Sequence, residues 1–234
     1  MGRKSGLQTP PTISVIIPIL NEAKILDQTL SQLQPKLGSH ELIIVDGGSN
    51  DNSVCIAEKY GEVLTSARGR AKQLNAGAAA ATGDILIFLH ADIRLEPGAL
   101  KAVASALSSG YIGGGFRQKI DGKSILYRVI EIAGNVRGKY LKVFYGDSGI
   151  FLARADFEKI GGFPDIPILE EMEFSKELRK LGKTTLVAPC IHISARRWET
   201  RGVVRTTLNN YLITLLYFLK ISPERLAELY RHIR

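Results

Sequence analysis

The chain has 234 residues, of which 45 % are apolar, enough for a substantial core and too many for an intrinsically disordered protein. Its two cysteines, Cys55 and Cys190, have no paired spacing, which argues against a disulfide scaffold or a structural zinc site. The net charge of +8 suits phosphate-bearing ligands or an anionic membrane surface, whereas no pattern of a nucleic-acid-binding module occurs.

The positive charge is concentrated in two segments. Residues 111–145 contain seven Lys or Arg against two acidic residues, and residues 196–234 contain eight against three. Each segment therefore carries a net charge of +5, and the rest of the chain about −2 by difference. Residues 1–12 are polar and lack the apolar run of a secretory signal, so we expect a cytoplasmic protein.

The first hundred residues alternate between predicted strands and helices. Apolar, β-branched runs predict strands at residues 13–18, 41–46, 63–66 and 84–89. Helices are predicted to begin at Asn21, Asp51, Gly69 and Pro97. This alternation indicates parallel βαβ units.

The second half is less regular. Strands are predicted at residues 111–120, 149–154 and 184–187, and helices at 124–136, 169–181 and 203–221. No linker composition interrupts the sequence, so we expect a single domain over residues 12–234.

Helix 203–221 is the most apolar one, and three interpretations of it remain open. It is a packing helix, including one that forms a homodimer; a helix lying in the membrane plane, with Arg197, Arg201 and Arg205 near its start; or a span of about 20 residues. The second interpretation predicts a protein peripheral on the inner face of the cell membrane.

Polar clusters follow three of the predicted strands. They are Pro18 to Glu22, Asp46 to Asp51, and His90 to Asp92. In open α/β sheets, ligands bind in the crevice outside the carboxyl ends of the strands. Turn or helix-capping chemistry explains any one cluster alone, but three together favour a ligand crevice.

Several known nucleotide and hydrolase motifs are absent. The first strand is not followed by Gly-x-Gly-x-x-Gly, and no Walker A loop or Gly-x-Ser-x-Gly elbow occurs. The sequence therefore disfavours dinucleotide binding, a P-loop and an α/β-hydrolase nucleophile.

A series of ordered motifs resembles the family 2 glycosyltransferases of the GT-A fold. They are Ser14-Val15-Ile16-Ile17-Pro18, Ile43-Ile44-Val45-Asp46-Gly47-Gly48-Ser49, Gly69-Arg70-Ala71, Gly83-Asp84, His90-Ala91-Asp92, Gly146-Asp147, Gly161-Gly162-Phe163-Pro164 and Glu170-Glu171. The resemblance covers about residues 12 to 230, and the His-Ala-Asp form is similar to the bacterial rSAM/selenodomain-associated transferases. It implies an α/β fold with a mixed, mainly parallel sheet flanked by helices.

The resemblance also implies a division of labour. Residues 12–110 would bind the nucleotide of a UDP- or GDP-linked sugar, residues 111–200 would hold the acceptor and the catalytic groups, and residues 201–234 would form C-terminal helices. The acceptor would be a small molecule or a lipid bearing a hydroxyl group. The residues expected to bind the donor are Pro18, Asn21, Glu22, Asp46, Gly48, Arg70, Asp92, Arg196 and Arg197. Asp92 matches the last Asp of the family's Asp-x-Asp motif, which holds Mn²⁺ or Mg²⁺ against the diphosphate.

Two positions depart from the family pattern. His90 replaces the first Asp of Asp-x-Asp, and either it or the late His192 is a candidate metal ligand alongside Asp92. Glu170-Glu171 replaces the usual Glu-Asp, whose Asp is the general base in an inverting reaction, so Glu171 is the expected base with Glu170 beside it. These departures keep open a second class, a non-catalytic nucleotide-sugar-binding protein, and helix 203–221 keeps open a third, a peripheral membrane partner protein.

Overall fold

The computed structural model describes residues 10–233, with side chains up to residue 230, so the polar residues 1–9 lie outside the described part. Its strands form one sheet in the order β3-β2-β1-β4-β7-β6-β8-β5. They are β1 Ile13–Ile19, β2 Glu41–Asp46, β3 Val63–Thr65, β4 Ile85–Phe88, β5 Ile93–Leu95, β6 Gly113–Ile120, β7 Ile150–Ala153 and β8 Thr184–Ile193.

Helices connect and cover these strands. They are α1 Ala23–Leu37, α2 Ser53–Ala57, α3 Arg70–Ala80, α4 Ala99–Ser108, α5 Ile125–Val136, α6 Arg154–Ile160, α7 Glu170–Leu181, α8 Arg196–Arg201, α9 Val203–Phe218 and α10 Pro223–Ile233. A π-helical turn, Arg137–Leu141, follows α5, and a 3₁₀ turn, Gly146–Ser148, precedes β7.

The predicted βαβ half forms as expected. Strands β3, β2, β1 and β4 are parallel neighbours, and Ile19 at the end of β1 is paired with Asp46 at the end of β2. The second half adds β7 antiparallel to β4, and β6 antiparallel to β7. Both predicted halves therefore contribute to one mixed sheet, and the expected α/β fold class is confirmed.

Some predicted elements differ from the structure. Strand β5 and helices α6, α8 and α10 were not predicted from the sequence, and β8 runs ten residues rather than four. Strand β5 is short and pairs with residues a hundred positions away, Ile93 with Ile193, so local periodicity does not reveal it. Helix α9 ends at Phe218, whereas the predicted helix extends to residue 221.

Two hydrophobic layers sandwich the sheet. One buries the α1 side chains Leu26, Leu30 and Leu33 together with α4 against β1 and β4. The other packs α3, α6 and α7 onto the opposite face. Successive residues of β1, such as Val15 and Ile16, enter opposite layers because side chains alternate between the two faces of a strand.

An aromatic cluster fixes helix α7 against strand β4. The rings of Phe88 and Phe163 meet edge to face at 4.9 Å, and Phe163 stacks on Phe174 at 4.2 Å. Phe88 ends β4 two residues before His90, and Phe174 lies three residues after Glu171. Such pairs add stability beyond the area they bury, and here they hold the first turn of α7 next to the end of β4.

Across residues 10–233, no helix combines the length and apolarity needed to cross a bilayer, so the interpretation of helix 203–221 as a span is wrong. Helix α9 has 16 residues, fewer than the ~20 that a span requires. The other two interpretations stay open at this stage.

Candidate active site

The loops after β1 and β2 are joined by hydrogen bonds. The Asn21 amide donates to Ser49 Oγ over 2.9 Å, and Asn21 Oδ1 accepts from the Asn50 amide over 2.8 Å. The Glu22 amide donates to Ser53 Oγ over 2.7 Å. Pro18, at the end of β1, pairs with the residue before Asp46. The first two predicted clusters thus form one surface at the carboxyl edge of the sheet.

Asp46 shapes the loop that follows β2. Its carboxylate accepts the amides of Gly48 at 2.9 Å and Ser49 at 3.0 Å. Gly48 has a φ of 90°, a conformation that costs other residues steric strain. The expected donor-binding residues Asp46 and Gly48 are therefore part of one tight turn, and Asp46 is only 5 % exposed.

A buried amide, which the sequence analysis did not single out, ties the two strand ends together. Gln73 of α3 donates from Nε2 to the carbonyls of Ile19 at 2.8 Å and Val45 at 2.9 Å. Its position in the Arg70 motif was the only available signal. The side chain is 4 % exposed and underlies the loop of Gly47.

The two departures from the family pattern meet in space. His90 Nε2 lies 3.0 Å from Glu171 Oε1. A Cβ on Gly146 would come within 1.9 Å of His90 Nε2 and 2.2 Å of Glu171 Oε1, so only glycine fits against this pair. The motif glycine is thus explained by close approach of the backbone.

Glu171 is held in the ionised form. Burial raises the pKa of its carboxyl, but the hydrogen bond and positive charge of His90 outweigh that effect. With the further contributions of Arg70 and the Gly146 amide, the pKa of Glu171 is lowered to about 2.

Glu170 behaves in the opposite way. Burial and then the charge of Glu171 raise the pKa of Glu170, and Arg70 opposes the shift only in part. Arg70 Nη1 lies 3.7 Å from Glu170 Oε1, and the Arg70 side chain is 46 % exposed. Neighbouring carboxyls whose pKa values are pushed apart are typical of catalytic sites.

Asp92 faces the same cluster with its carboxylate uncommitted. Although partial burial opposes the shift, the charges of Glu171, Glu170 and, more weakly, Asp92 raise the pKa of the half-exposed Arg70 guanidinium. Among residues 10–233, no hydrogen bond or ion pair engages the Asp92 side chain. Arg70, Asp92, Glu170 and Glu171 are thus brought together.

Helices α8 and α10 close one side of this cluster. Arg196 Nη2 lies 3.2 Å from Glu22 Oε2, so two expected donor-binding residues are in contact. Arg197 instead donates to Tyr230 of α10 and lies 3.5 Å from Asn210 Oδ1. Trp198, whose ring lies 6.1 Å from that of Tyr127, packs in a small apolar cluster.

His192 does not join His90 and Asp92. It lies on β8, where Nδ1 is 3.1 Å from Asp121 Oδ1 and Nε2 is 2.9 Å from Glu96 Oε1. The hydrogen bond from His192 lowers the pKa of Glu96. Both ring nitrogens are therefore occupied by carboxylates.

Arg137 and Tyr145, which the sequence analysis did not assign to the site, also line it. The guanidinium of Arg137 stacks 4.0 Å above the Tyr145 ring and lies 3.3 Å from Asp147 Oδ1. Burial raises the pKa of the Tyr145 hydroxyl. The Gly146-Asp147 motif was the signal that could have pointed to this wall.

Strained backbone occurs at two of the site loops. Asn21 and Leu169, the residue before Glu170, have positive φ angles of 57° and 65°. Such conformations cost about 1–3 kcal/mol at non-glycine residues and cluster at functional sites. Their positions next to the expected donor and catalytic residues fit that tendency.

The eight-stranded mixed sheet flanked by helices, with polar clusters at the carboxyl ends of β1, β2 and β4, fits the GT-A fold. The sequence profile described as "Glycosyl transferase family 2" matches residues 14–161. The chain belongs to this family.

Curated relatives support the assignment over part of their length. The chain is 27 % identical over 207 residues to "Probable glycosyltransferase YdaM" of Bacillus subtilis, covering 76 % of this chain and 49 % of the relative. It is 29 % identical over 120 residues to an undecaprenyl-phosphate 4-deoxy-4-formamido-L-arabinose transferase of Proteus mirabilis, covering 46 % and 37 %. The chain therefore spans half or less of the length of these relatives.

Solved structures share the fold. A mannosyltransferase from Pyrobaculum calidifontis in complex with GDP-Man and Mn²⁺ superposes with a TM-score of 0.62 at 17 % identity, covering 79 % of this chain and 57 % of that one. S. aureus TarS in complex with UDP-GlcNAc gives 0.60 at 18 % identity, covering 78 % and 58 %.

Proposed function

We propose that the protein transfers a sugar from a UDP- or GDP-linked donor to a hydroxyl group of an acceptor, with inversion at the anomeric carbon. The observation that carries this proposal is the convergence of Arg70, Asp92, Glu170 and Glu171 at the ligand-binding edge of the sheet. Family membership and the donors named for the two structural neighbours support it.

The donor lies along the joined loops of β1 and β2 in this proposal. Pro18, Asn21, Asp46 and Gly48 bound the nucleoside, because they form the surface next to the strand ends. The half-exposed Arg70 faces the diphosphate, since a planar guanidinium suits phosphate oxygens.

The three residues that close the site extend this donor surface. The Glu22–Arg196 pair closes the nucleoside end. Arg197 contributes more remotely, through its hydrogen bond to Tyr230 of α10.

A divalent ion, Mn²⁺ or Mg²⁺, fits this site when it arrives with the diphosphate. The described part of the chain contains no group of three or more His, Cys, Asp or Glu side chains arranged to hold a metal ion. Mg²⁺ is commonly held by one or two carboxylates plus substrate phosphates, and Asp92 offers one uncommitted carboxylate. The ion would neutralise charge on the leaving diphosphate.

We do not assign the metal to the two histidines. Glu171 engages His90 Nε2, and Glu96 and Asp121 engage both nitrogens of His192. Asp92 is therefore the proposed ligand, and His90 is proposed to position Glu171.

Glu171 is the proposed general base. It accepts the proton of the acceptor hydroxyl as that oxygen bonds to the anomeric carbon and the bond to the diphosphate breaks on the opposite face. A pKa of about 2 makes the free carboxylate a weak base. Negative diphosphate next to Arg70 offsets the positive charge near Glu171 and raises its pKa towards a useful value.

A donor screen tests the proposal. Thermal unfolding is followed with UDP- and GDP-sugars, with and without Mn²⁺, because a ligand that binds only the folded state raises its stability. The donor that stabilises the protein is then assayed for hydrolysis and transfer. Stabilisation with turnover supports the transferase, saturable binding without turnover identifies a non-catalytic binder, and no stabilisation by any donor contradicts both.

The His-Ala-Asp sequence supports a narrower proposal, namely membership of the rSAM/selenodomain-associated subgroup. The acceptor is proposed only by class, a small molecule or a lipid bearing a hydroxyl group. The name of the Proteus mirabilis relative supports the lipid alternative.

A further inference from the structure

Helix α5 is oriented with its polar side inward. Strand β8 pairs one edge of β6 as far as Ile120, but β7 pairs the other edge only at Gly113–Gly115, so the backbone groups of that edge beyond Gly115 need other partners. Asn135 supplies them at Gln118, accepting its amide at 2.9 Å and donating to its carbonyl at 3.1 Å. The buried Glu131 accepts the amide of Ile120. The apolar side of α5 is consequently left facing solvent.

Helix α9 packs beside α5 and also exposes an apolar stripe. Val203, at its start, packs against the cluster of Ile120 and Tyr127. Only Thr206 and Ile213 of α9 are buried. We define the α5–α9 face as the exposed apolar residues of both helices and the following turns: Ile125, Leu126, Val129, Ile132, Val136, Tyr140, Leu141, Val204, Leu208, Tyr211, Leu212, Leu215, Phe218 and Leu219.

The extent of this exposed apolar face indicates that a binding partner covers it. Scattered exposed apolar residues are normal on a protein surface, but a contiguous apolar surface marks an interaction site. Phe218, Leu208 and Ile132 are 62–63 % exposed, and Ile125 is 74 % exposed. These large side chains recur at helical spacing, so each helix presents a continuous stripe.

Exposed basic residues flank both helices of the face. Lys123 precedes α5, Lys139 follows it, Arg205 lies in the first turn of α9, and Lys220 follows that helix; all four are exposed. None of them forms an ion pair with an acidic residue among residues 10–233. Helix α9 contains no acidic residue, and the single carboxylate of α5 is buried.

We propose that the α5–α9 face docks onto the surface of an anionic lipid bilayer. An apolar stripe inserts at the headgroup boundary while flanking Lys and Arg reach anionic headgroups, the arrangement of in-plane membrane helices. A second copy of the chain fits less well, because a two-fold interface brings the same patch of each copy together and sets basic rim against basic rim.

Docking in this way places the site next to the bilayer. Tyr217, on the inner side of α9, donates to Glu173 in the first turn of the catalytic helix α7. Thr214 of α9 contacts the Tyr145 hydroxyl. The docking inference does not depend on the donor chemistry proposed above, since it rests on exposed residues outside the site.

Vesicle flotation of the full chain tests the inference. The vesicles are phosphatidylcholine alone or with about 30 % phosphatidylglycerol, in low and high salt. We expect at least about tenfold stronger binding to the anionic vesicles, and a loss of that preference at high salt because charges are screened. Failure of the unaltered chain to float with anionic vesicles at low salt would overturn the proposal.

Matched variants test whether vesicle binding depends on the α5–α9 face or on exposed apolar residues in general. Leu208→Gln/Leu215→Gln and Val129→Gln/Ile132→Gln remove apolar area from α9 and α5, and Leu181→Gln removes an exposed leucine of α7 outside the face. We expect the two double variants to lose binding about tenfold and the control to keep it. Equal losses in all three would overturn the proposal.

Charge is tested in the same way. Lys139→Glu/Lys220→Glu changes the rim, and Lys59→Glu/Lys101→Glu makes the same change in charge at exposed lysines elsewhere. Binding should fall several-fold more in the rim variant than in the control. Light scattering completes the test: a dimer that Leu208→Gln/Leu215→Gln converts to a monomer, with no change in vesicle binding, would assign the face to a second copy instead.

Discussion

His90 Nε2 and Glu171 Oε1 lie 3.0 Å apart, and they belong to the two positions at which the chain departs from its family's motifs. The departures are compensatory in physical terms. An Asp at position 90 would set a second carboxylate against a longer acid that is already buried, whereas an imidazole supplies a hydrogen bond and a positive charge. In this chain the two positions therefore form an acid–imidazole pair.

Restoring the family residue at position 90 alone should lower activity more than restoring it at both positions 90 and 171. We expect His90→Asp to reduce turnover of the donor by about 10²-fold or more, because two carboxylates then share the pocket. Adding Glu171→Asp withdraws the second carboxylate by one methylene and should recover part of the activity. Both variants are compared by kcat/KM on the donor found by the screen. Equal activity of the single and double variants would show that the two positions are not coupled.

Glu171→Gln tests the assignment of the base. The amide cannot take a proton, so we expect kcat to fall about 10²- to 10⁴-fold while the donor KM changes little. Glu177→Gln, at an exposed position of the same helix, is the control and should keep the activity of the unaltered chain. A Glu171→Gln variant with undiminished kcat would remove Glu171 from the mechanism.

The lowered pKa of Glu171 predicts a pH-dependent stability. The folded value of about 2 lies below the ordinary value of 4.5, so the folded state binds this proton less tightly than the unfolded state does. The stabilisation, on the order of 3 kcal/mol, is complete above about pH 4.5 and is lost as the pH falls towards 2. Denaturant unfolding should therefore show a stability gap between the unaltered chain and Glu171→Gln at pH 7 that narrows below pH 4.5. A gap that is constant with pH would contradict the lowered pKa.

Local sequence signals predicted the half of the fold that local contacts build. Strands β1, β2 and β4 carry buried apolar runs, their helices have periodic apolar residues, and their polar ends meet as parallel topology requires. The family resemblance assigned donor-binding or catalytic roles to Arg70, Asp92, Glu170 and Glu171, and the structure brings these four together.

Local sequence signals did not predict the pairing of strands that are far apart in the sequence. Strand β5 forms only because β8 lies beside it, and the same pairing directs His192 to Glu96 and Asp121 rather than to Asp92. The contact between His90 and Glu171 joins residues 81 positions apart through the antiparallel return of β7 and the aromatic cluster. Neither contact follows from spacing in the sequence.

Asp92→Asn tests the metal proposal without disturbing the fold. Because no described side chain or amide bonds the Asp92 carboxylate, the unfolding temperature of the ligand-free variant should stay within about 1 °C of the unaltered chain. The additional stabilisation that Mn²⁺ gives in the presence of nucleoside diphosphate should disappear. Asp165→Asn, at a surface position paired with Lys72, is the control. Retention of the Mn²⁺-dependent shift in Asp92→Asn would reject Asp92 as the ligand.

Gln73 provides a prediction about stability and donor binding together. Gln73→Leu keeps the size of the side chain but removes one hydrogen bond from each of the buried carbonyls of Ile19 and Val45, of which Ile19 still accepts the Gly47 amide. Two lost hydrogen bonds of this kind cost about 1–3 kcal/mol, so the unfolding temperature should fall by about 2–12 °C. Gln34→Leu, on the exposed side of α1, should change it by about 1 °C or less.

The same substitution should also weaken the donor site. The two carbonyls lie at the ends of β1 and β2, where the loops of Asn21 and Asp46 begin. Loss of the Gln73 hydrogen bonds should therefore loosen both loops at once. We expect the donor Kd of Gln73→Leu to rise several-fold at a temperature where the variant is fully folded, measured by titration calorimetry. Unchanged stability would mean that water replaces the amide. Reduced stability with unchanged Kd would mean that the loops do not bind the donor.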